Sequence, residues 1–168
     1  CPKMDKRDIQ VREYRPEWRS DFRNLNVSWL AALFSVTAED ERQLGNPEAI
    51  LEKGGMIFFA VLEDRPIGTV AVIPDSPSSI QVAKMGVDER CRGLGAGNAL
   101  LDAALRWSVS RNFTTIHLDT ADQLVEAIRL YERAGFRRKG DHHVHPVFKR
   151  TTFRMELAPE ALERYRSA

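Results

Sequence analysis

Cysteine is scarce: Cys1 and Cys91 are the only two in 168 residues. Two thiols cannot form a disulfide framework, so the fold must rest on a packed core, which a chain of this length can bury. The same scarcity makes a reducing, cytoplasmic setting the default expectation. Long hydrophobic runs are absent too. No stretch approaches the roughly 18 apolar residues of a membrane span, and the start, Cys1-Pro-Lys-Met4-Asp5, lacks the charged-then-apolar pattern of a secretory leader. That start reads as a processed or appended end and takes no part in the functional reading. Neither sign of charge is in surplus, since 25 basic side chains face 24 acidic ones for a net charge of +1. Nothing then drives the whole chain toward nucleic acid or an anionic lipid surface, so neither is expected as a partner. Repeats, low-complexity tracts and long linkers are also missing. With 43% hydrophobic and 29% charged residues, the composition is that of one globular domain.

What is present is a glycine-dense turn. Residues 87 to 101 read Val-Asp-Glu-Arg-Cys-Arg-Gly-Leu-Gly-Ala-Gly-Asn-Ala-Leu-Leu, running from the end of an apolar strand into the start of a helix. A helix begins with backbone N–H groups that have no intrahelical acceptor, and its aligned dipoles leave partial positive charge there. Gly93, Gly95 and Gly97 lack a Cβ, so the chain can take positive φ and a ligand can press against the backbone. Arg92 adds a planar fork of donors. The pattern is an anion cradle, and spacing sorts the phosphate loops that could use it. A nucleoside triphosphate loop requires a lysine after the glycines, and none follows. A dinucleotide fingerprint puts its third glycine where Asn98 stands and follows its strand directly, whereas Asp88 to Arg92 intervene here. Asp119 lies at a suitable distance for that second reading, but the turn does not fit it.

What remains, Arg92-x-x-Gly95-x-Gly97 after Met85-Gly-Val87, resembles the acyl-CoA pyrophosphate loop of the GNAT superfamily of N-acetyltransferases. Residues 130 to 136, Leu-Tyr-Glu-Arg-Ala-Gly-Phe, resemble the later motif of that family, and Arg154-Met-Glu-Leu157 is similar to its closing strand. The resemblance covers roughly residues 8 to 158, with 1–7 and 159–168 read as terminal extensions. It implies an α/β fold of the α+β type: a mixed, mostly antiparallel sheet of about seven strands, flanked by about four helices and splayed between strands 4 and 5. It further implies acetyl-CoA as co-substrate, with no metal. The backbone of Met85 and Val87 would hold the pantetheine arm, and Arg92, Gly93, Leu94, Gly95, Ala96, Gly97 and Asn98 the pyrophosphate. Tyr131 would lie beside the CoA sulfur, as a cofactor contact and as the general acid. The acceptor would be a small-molecule amine or a peptide amine, and a homodimer is left open.

Periodicity supplies the elements around these motifs. Ile9, Val11 and Tyr14 suggest a first strand, and Trp18, Phe22, Leu25 and Trp29 one face of a helix opened by Pro16-Glu17. Asn46-Pro47-Glu48 predicts a helix start with Asn46 as the capping side chain. Met56 to Leu62, Ile67 to Ile73 and Ile80 to Val87 are apolar runs separated by turn residues and predict an antiparallel meander. Leu100, Leu101, Ala104, Leu105 and Ser108 form one helical stripe. Leu124, Ala127, Ile128, Tyr131 and Ala134 form another, which Asp122 is expected to cap. The strand between them alternates Ile116, Leu118 and Thr120 with His117 and Asp119. Ser35 to Gln43 and Gly140 to Arg150 read as polar loops.

The chemistry has one gap. Amine acetylation needs an unprotonated nucleophile, yet Gln81 stands where some members of the family carry a glutamate base, and an amide cannot accept the proton. Deprotonation would then use a water chain, a backbone carbonyl, or another carboxylate such as Asp119 or the run Glu39 to Glu41. Leu124 stands where an asparagine often contacts the cofactor. These departures sustain an alternative, a non-catalytic acyl-CoA binder or sensor. His142, His143 and His145 share one segment without a cysteine and are expected in a solvated loop rather than a metal site. Arg129, Arg133 and Arg137 are expected on a solvated face, paired with Glu126 and Glu132. Cys91, between Arg90 and Arg92, reads as a small turn residue. The acceptor is expected between Glu39-Asp40-Glu41 and the segment with the histidines, Lys149 and Arg150, which favours a zwitterionic or polyamine-like substrate.

Overall fold

A computed structural model describes residues 8 to 166, so the expectation about the first residues lies outside it. The apolar runs pair in chain order. β1 (Gln10–Glu13), β2 (Met56–Leu62), β3 (Arg65–Pro74) and β4 (Ser79–Val87) are successively antiparallel. Between β2 and β3 the two-residue turn holds Glu63 and Asp64 at φ of 51° and 62°, the left-handed pair that matches the twist of a tight hairpin. β5 (Thr115–Thr120), β6 (Phe136–Val144) and β7 (Thr151–Leu157) complete a seven-stranded sheet in the order β1-β2-β3-β4-β5-β7-β6. Its one parallel pairing joins β4 to β5.

Strand β2 is apolar throughout because both of its faces are covered. Ile57, Phe59 and Val61 face a core built with α1 (Arg19–Leu33), α2 (Ala38–Leu44) and α3 (Glu48–Glu52). Phe58, Ala60 and Leu62 face the core under α4 (Ala96–Ser110), α5 (Val125–Ala134) and α6 (Leu162–Tyr165). The stripe of α4 is buried at all of Leu100, Leu101, Ala104, Leu105 and Ser108. Burying each leucine there is worth about 1.5–3 kcal/mol. Ser108 keeps its hydroxyl satisfied on the Ala104 carbonyl at 2.8 Å. On α5 only Tyr131 is buried, and Ala127, Ile128 and Ala134 are half-covered.

Among the described residues six α-helices stand where about four were expected, because the short ones carry too few residues to show a period. The stretch read as the loop Ser35 to Gln43 contains α2, started by a capping box in which Thr37 and Asp40 satisfy each other's backbone N–H. The second expected loop is also partly regular. β6 runs on to Val144 with a register shift between Lys139 and His143, where Gly140 takes φ 76°. Neither predicted cap forms: α3 has Pro47 and α5 has Leu124 at that position, without side-chain bonds. Asn46 instead accepts the Ala49 N–H through its backbone carbonyl, and the Asp122 carboxylate bonds to His142. Beyond β7, Ala161 and Tyr165 are buried, and the Tyr165 hydroxyl donates to the Ala134 carbonyl at 2.6 Å. Among the described residues no helix is long and apolar enough to cross a membrane.

Helix α1 lies directly on β4. A Cβ at Gly86 would stand 2.5 Å from the Leu25 carbonyl oxygen and 2.9 Å from Trp29 Cδ1. Since backbone cannot yield as a side-chain tip can, Gly86→Ala should lower unfolding stability by about 1–3 kcal/mol. Urea denaturation checks this; an unchanged midpoint would mean that α1 shifts off the strand without penalty.

Candidate active site

β4 and β5 are paired for three registers only, Ser79 with Thr115, Ile80 with Ile116 and Gln81 with His117. From Val82 onward β4 has no strand on that side. The departure coincides with a bulge: the β3 partner of Gly86 is Thr69 and that of Ala83 is Ala71, and Lys84 takes φ 55°. An extra residue in one strand bends it away from its neighbour. Two clefts open at the parting. One, of about 630 Å³, runs between β4 and the starts of α4 and α5. The other, of about 390 Å³, runs between α2, α3 and the segment joining β6 to β7. Trp29, Ala83, Lys84, Asp119 and Leu124 line both.

The larger cleft ends on the glycine loop. Gly93 and Gly95 take φ of 83° and 85°, and an added Cβ at either would meet nothing within 4 Å. Glycine is favoured there by backbone conformation, and both residues line the cleft. Among the described residues the N–H groups from Gly93 to Asn98 find no acceptor; the first bond of α4 runs from Ala99 N–H to the Gly95 carbonyl. This row of unsatisfied donors at the positive end of a fifteen-residue helix suits a pyrophosphate. Met85, Val87, Arg92, Gly93, Gly95, Ala96, Gly97, Asn98 and Tyr131 all line the cleft. Leu94 does not, because its side chain packs half-buried against the core. Cys91 is fully buried in the same core. The expected arginine face breaks up: Arg133 lines the cleft, while Arg137 lies on β6 and pairs with Glu160.

Tyr131 projects from α5 with its ring edge-on to Phe136, centroids 6.0 Å apart. Burial pushes its phenol up to about 12. The hydroxyl therefore keeps its proton near neutral pH and is available to donate a hydrogen bond.

The smaller cleft carries the other polar groups. Asp119 on β5 faces His145, with Oδ2 3.8 Å from Nε2. His145 Nδ1 accepts the N–H groups of Val147 and Phe148, both at 3.2 Å, and burial holds the ring below the usual histidine range. The imidazole is thus neutral with its proton on Nε2, aimed at Asp119, and has no lone pair left to accept another. His142 turns away to Asp122, at 2.8 Å, and onto Phe153, while His143 is exposed on β6. The three histidines do not converge, and among the described residues no group of three His, Cys, Asp or Glu could hold a metal ion.

The acidic run forms internal ion pairs rather than an open wall. Glu39 binds Arg42 and Gln43, which hold its carboxyl down at about 2. Glu41 forms a two-bond fork with Arg23 at 2.8 and 2.9 Å. Asp40 is buried and bonds to Arg150 and Thr37; burial pushes its pKa up, and those partners pull it further down, to below the usual range. The side chain that sequence reading passed over is Lys84. Its Nζ donates to Gln43 Oε1 at 2.7 Å and stands 5.6 Å above the Phe148 ring. A lysine between Ala83 and Met85 reads as a solvent-facing strand position; only the bulge turns it into the cleft.

The fold has counterparts in known proteins. The family model described as acetyltransferase (GNAT) family matches residues 9–136. Human N-acetylaspartate synthetase is 35% identical over 96 residues, which make up 55% of this chain and 32% of that protein. The chain thus spans about a third of the length of the curated relatives it matches first. An acetyltransferase of the GNAT family from Staphylococcus aureus superposes with a TM-score of 0.76 at 24% identity, covering 89% of this chain and 99% of that one. The Salmonella typhimurium protein yncA, solved with its cofactor acetyl-CoA, gives 0.74 at 14% identity, covering 90% and 94%. At those identities the structures share the fold. With the matched region running from the first strand through the parted strands and the glycine loop to Phe136, the chain belongs to the acetyltransferase (GNAT) family.

Proposed function

We propose that this chain transfers an acetyl group from acetyl-CoA directly to a primary amine of a small acceptor. The observation that carries the reading is the meeting of two clefts where β4 and β5 part, one ending on unsatisfied backbone donors and the other lined by charged side chains. Acetyl-CoA would supply a thioester carbonyl; the amine nitrogen bonds to its carbon as the carbon–sulfur bond breaks. The chain's own groups then have distinct tasks. The N–H row from Gly93 to Asn98, with Arg92, holds the pyrophosphate, and the unpaired backbone of β4 at Met85 and Val87 lines the arm. Tyr131 donates a hydrogen bond to the departing sulfur. With its pKa near 12 against about 8.5 for a thiol, the phenol stabilises the thiolate without surrendering its proton. Asp119, which faces the His145 ring at 3.8 Å and lines both clefts, takes the ammonium proton through water before attack. The second proton, lost from nitrogen as the amide forms, passes through water to the CoA thiolate that the Tyr131 hydroxyl has stabilised. Asp119 supplies the carboxylate that Gln81 lacks, which favours catalysis over a binder or sensor. The name of the human relative, with an acetylated amino acid as its product, agrees with a small acceptor.

Two outcomes test this. Acetyl-CoA or CoA should raise the melting temperature while NAD and ATP do not, and Gly95→Trp should abolish the shift by filling the open space on the cradle. An unchanged wild-type curve at millimolar CoA would remove the cofactor site. Tyr131→Phe should lower kcat about tenfold or more, about 1.4 kcal/mol per tenfold, with the CoA-induced shift retained, since the hydroxyl acts on charge that appears only as sulfur leaves. Because Tyr131 does not titrate below about 12, the wild-type rate should show no alkaline limb that the Phe variant removes. Wild-type kcat in the variant would leave Tyr131 as core packing alone.

A further inference from the structure

The clearest charge imbalance in the molecule lies at the meeting point of the two clefts. Lys84 lines both, yet among the described residues no carboxylate comes within 4 Å of its ammonium, whose one close partner is the neutral amide of Gln43. Two of the nearby acids already serve other groups: Asp40 bonds to Arg150 and to Thr37 in the capping box of α2, and Glu39 is bound by Arg42. Asp119 on β5, 3.8 Å from the His145 ring, stays open to an acceptor's ammonium. Lys53, at the end of α3, lines the smaller cleft as a second ammonium without a carboxylate within 4 Å among the described residues. Lys53 is exposed, whereas the half-buried Lys84 has given up part of its hydration without gaining an anion, and an incoming carboxylate would offset that cost.

We propose, resting on the acetyltransferase reading above, that Lys84 recognises a carboxylate on the acceptor, which is therefore an amino acid or a similar carboxylate-bearing amine rather than a polyamine. The ammonium of the acceptor then meets Asp119, and its carboxylate meets Lys84 with Lys53 behind it. The bulge in β4 serves this role: by holding Lys84 at φ 55° it turns a strand residue inward at the junction. Burial lowers the Lys84 pKa to about 8, with Asp40 and Glu39 pulling it up and Arg150 and Lys53 pushing it down. The ammonium form prevails below that pH, so recognition works near neutrality and weakens as the amine loses its proton.

The sign of the pH effect separates this role from proton abstraction by Lys84. A carboxylate bound to the charged form raises the lysine pKa, so affinity is constant below about 8 and falls above it. The experiment pairs acceptors differing only as carboxylate against carboxamide: each L-amino acid against its α-amide, and aspartate and glutamate against asparagine and glutamine. Thiol release should favour the carboxylate member of at least one pair by about tenfold or more. Lys84→Met should erase that preference and Lys84→Arg should restore part of it, while the CoA-induced melting shift persists in both. Calorimetry with the N-acetylated form of the preferred acceptor, which has no amine to titrate, should show binding that weakens above about pH 8 in the wild type and stays flat in Lys84→Met. Equal turnover within every pair, or a preference untouched by Lys84→Met, overturns the assignment while leaving the acetyltransferase reading intact. A rate that rises through pH 8 with pH-independent product binding would make Lys84 a base instead. Absence of thiol release with any amine would bring down the acetyltransferase reading first.

Discussion

Two strands that begin as neighbours and then separate determine the rest of this molecule. β4 and β5 share three paired registers before the bulge at Lys84 bends β4 away. An unpaired strand edge in a packed domain leaves backbone donors and acceptors without partners. Here the gap is bordered instead by two clefts and by Trp29 of α1, which touches both. The helix that follows β4 starts at the far end of this gap, so the unsatisfied N–H groups of the glycine loop open toward the same space. A row of unsatisfied backbone donors and an unpaired strand edge thus border one opening in the sheet.

Stability and chemistry are divided between the two faces. The core under α4 is almost wholly apolar, and its buried leucines fix the helix whose first turn forms the cradle. The opposite face pays in charge: Asp40 is buried, Arg150 reaches it from a position 110 residues later, and Arg23 holds Glu41. The Arg150–Asp40 pair ties α2 to the segment before β7 and so shapes the smaller cleft, while Arg23 ties α2 to α1. Because its acids are spent on that task, the cleft is left with uncompensated ammonium groups and Asp119.

The glycine loop and the α4 stripe were legible in the sequence because they depend on local spacing. Where a helix starts, which glycines must lack a Cβ and which leucines share a face are all set within a few residues. The three meander strands were legible for the same reason, as apolar runs between turns. The capping box at Thr37 and Asp40 was also readable, but the seven-residue helix after it shows no period. Lys84, the Asp119–His145 pair and the commitment of Glu39 to Glu41 were not. Each depends on register, bulge or contacts distant in sequence, and an acidic run looks the same whether it faces solvent or an arginine brought from another helix or from the segment before β7. The three histidines illustrate the point, being adjacent in sequence and yet directed to Asp119, Asp122 and solvent.

The central claim is that cofactor and acceptor occupy joined clefts at the same time, with Asp119 at the junction, Tyr131 in the larger cleft and no acetylated side chain in between. Initial velocities measured at several fixed acceptor concentrations while acetyl-CoA is varied test it most directly. A ternary complex predicts reciprocal plots that intersect. Parallel lines, the sign of an acetyl-enzyme formed before the acceptor binds, or CoA binding without turnover of any amine, would contradict the account.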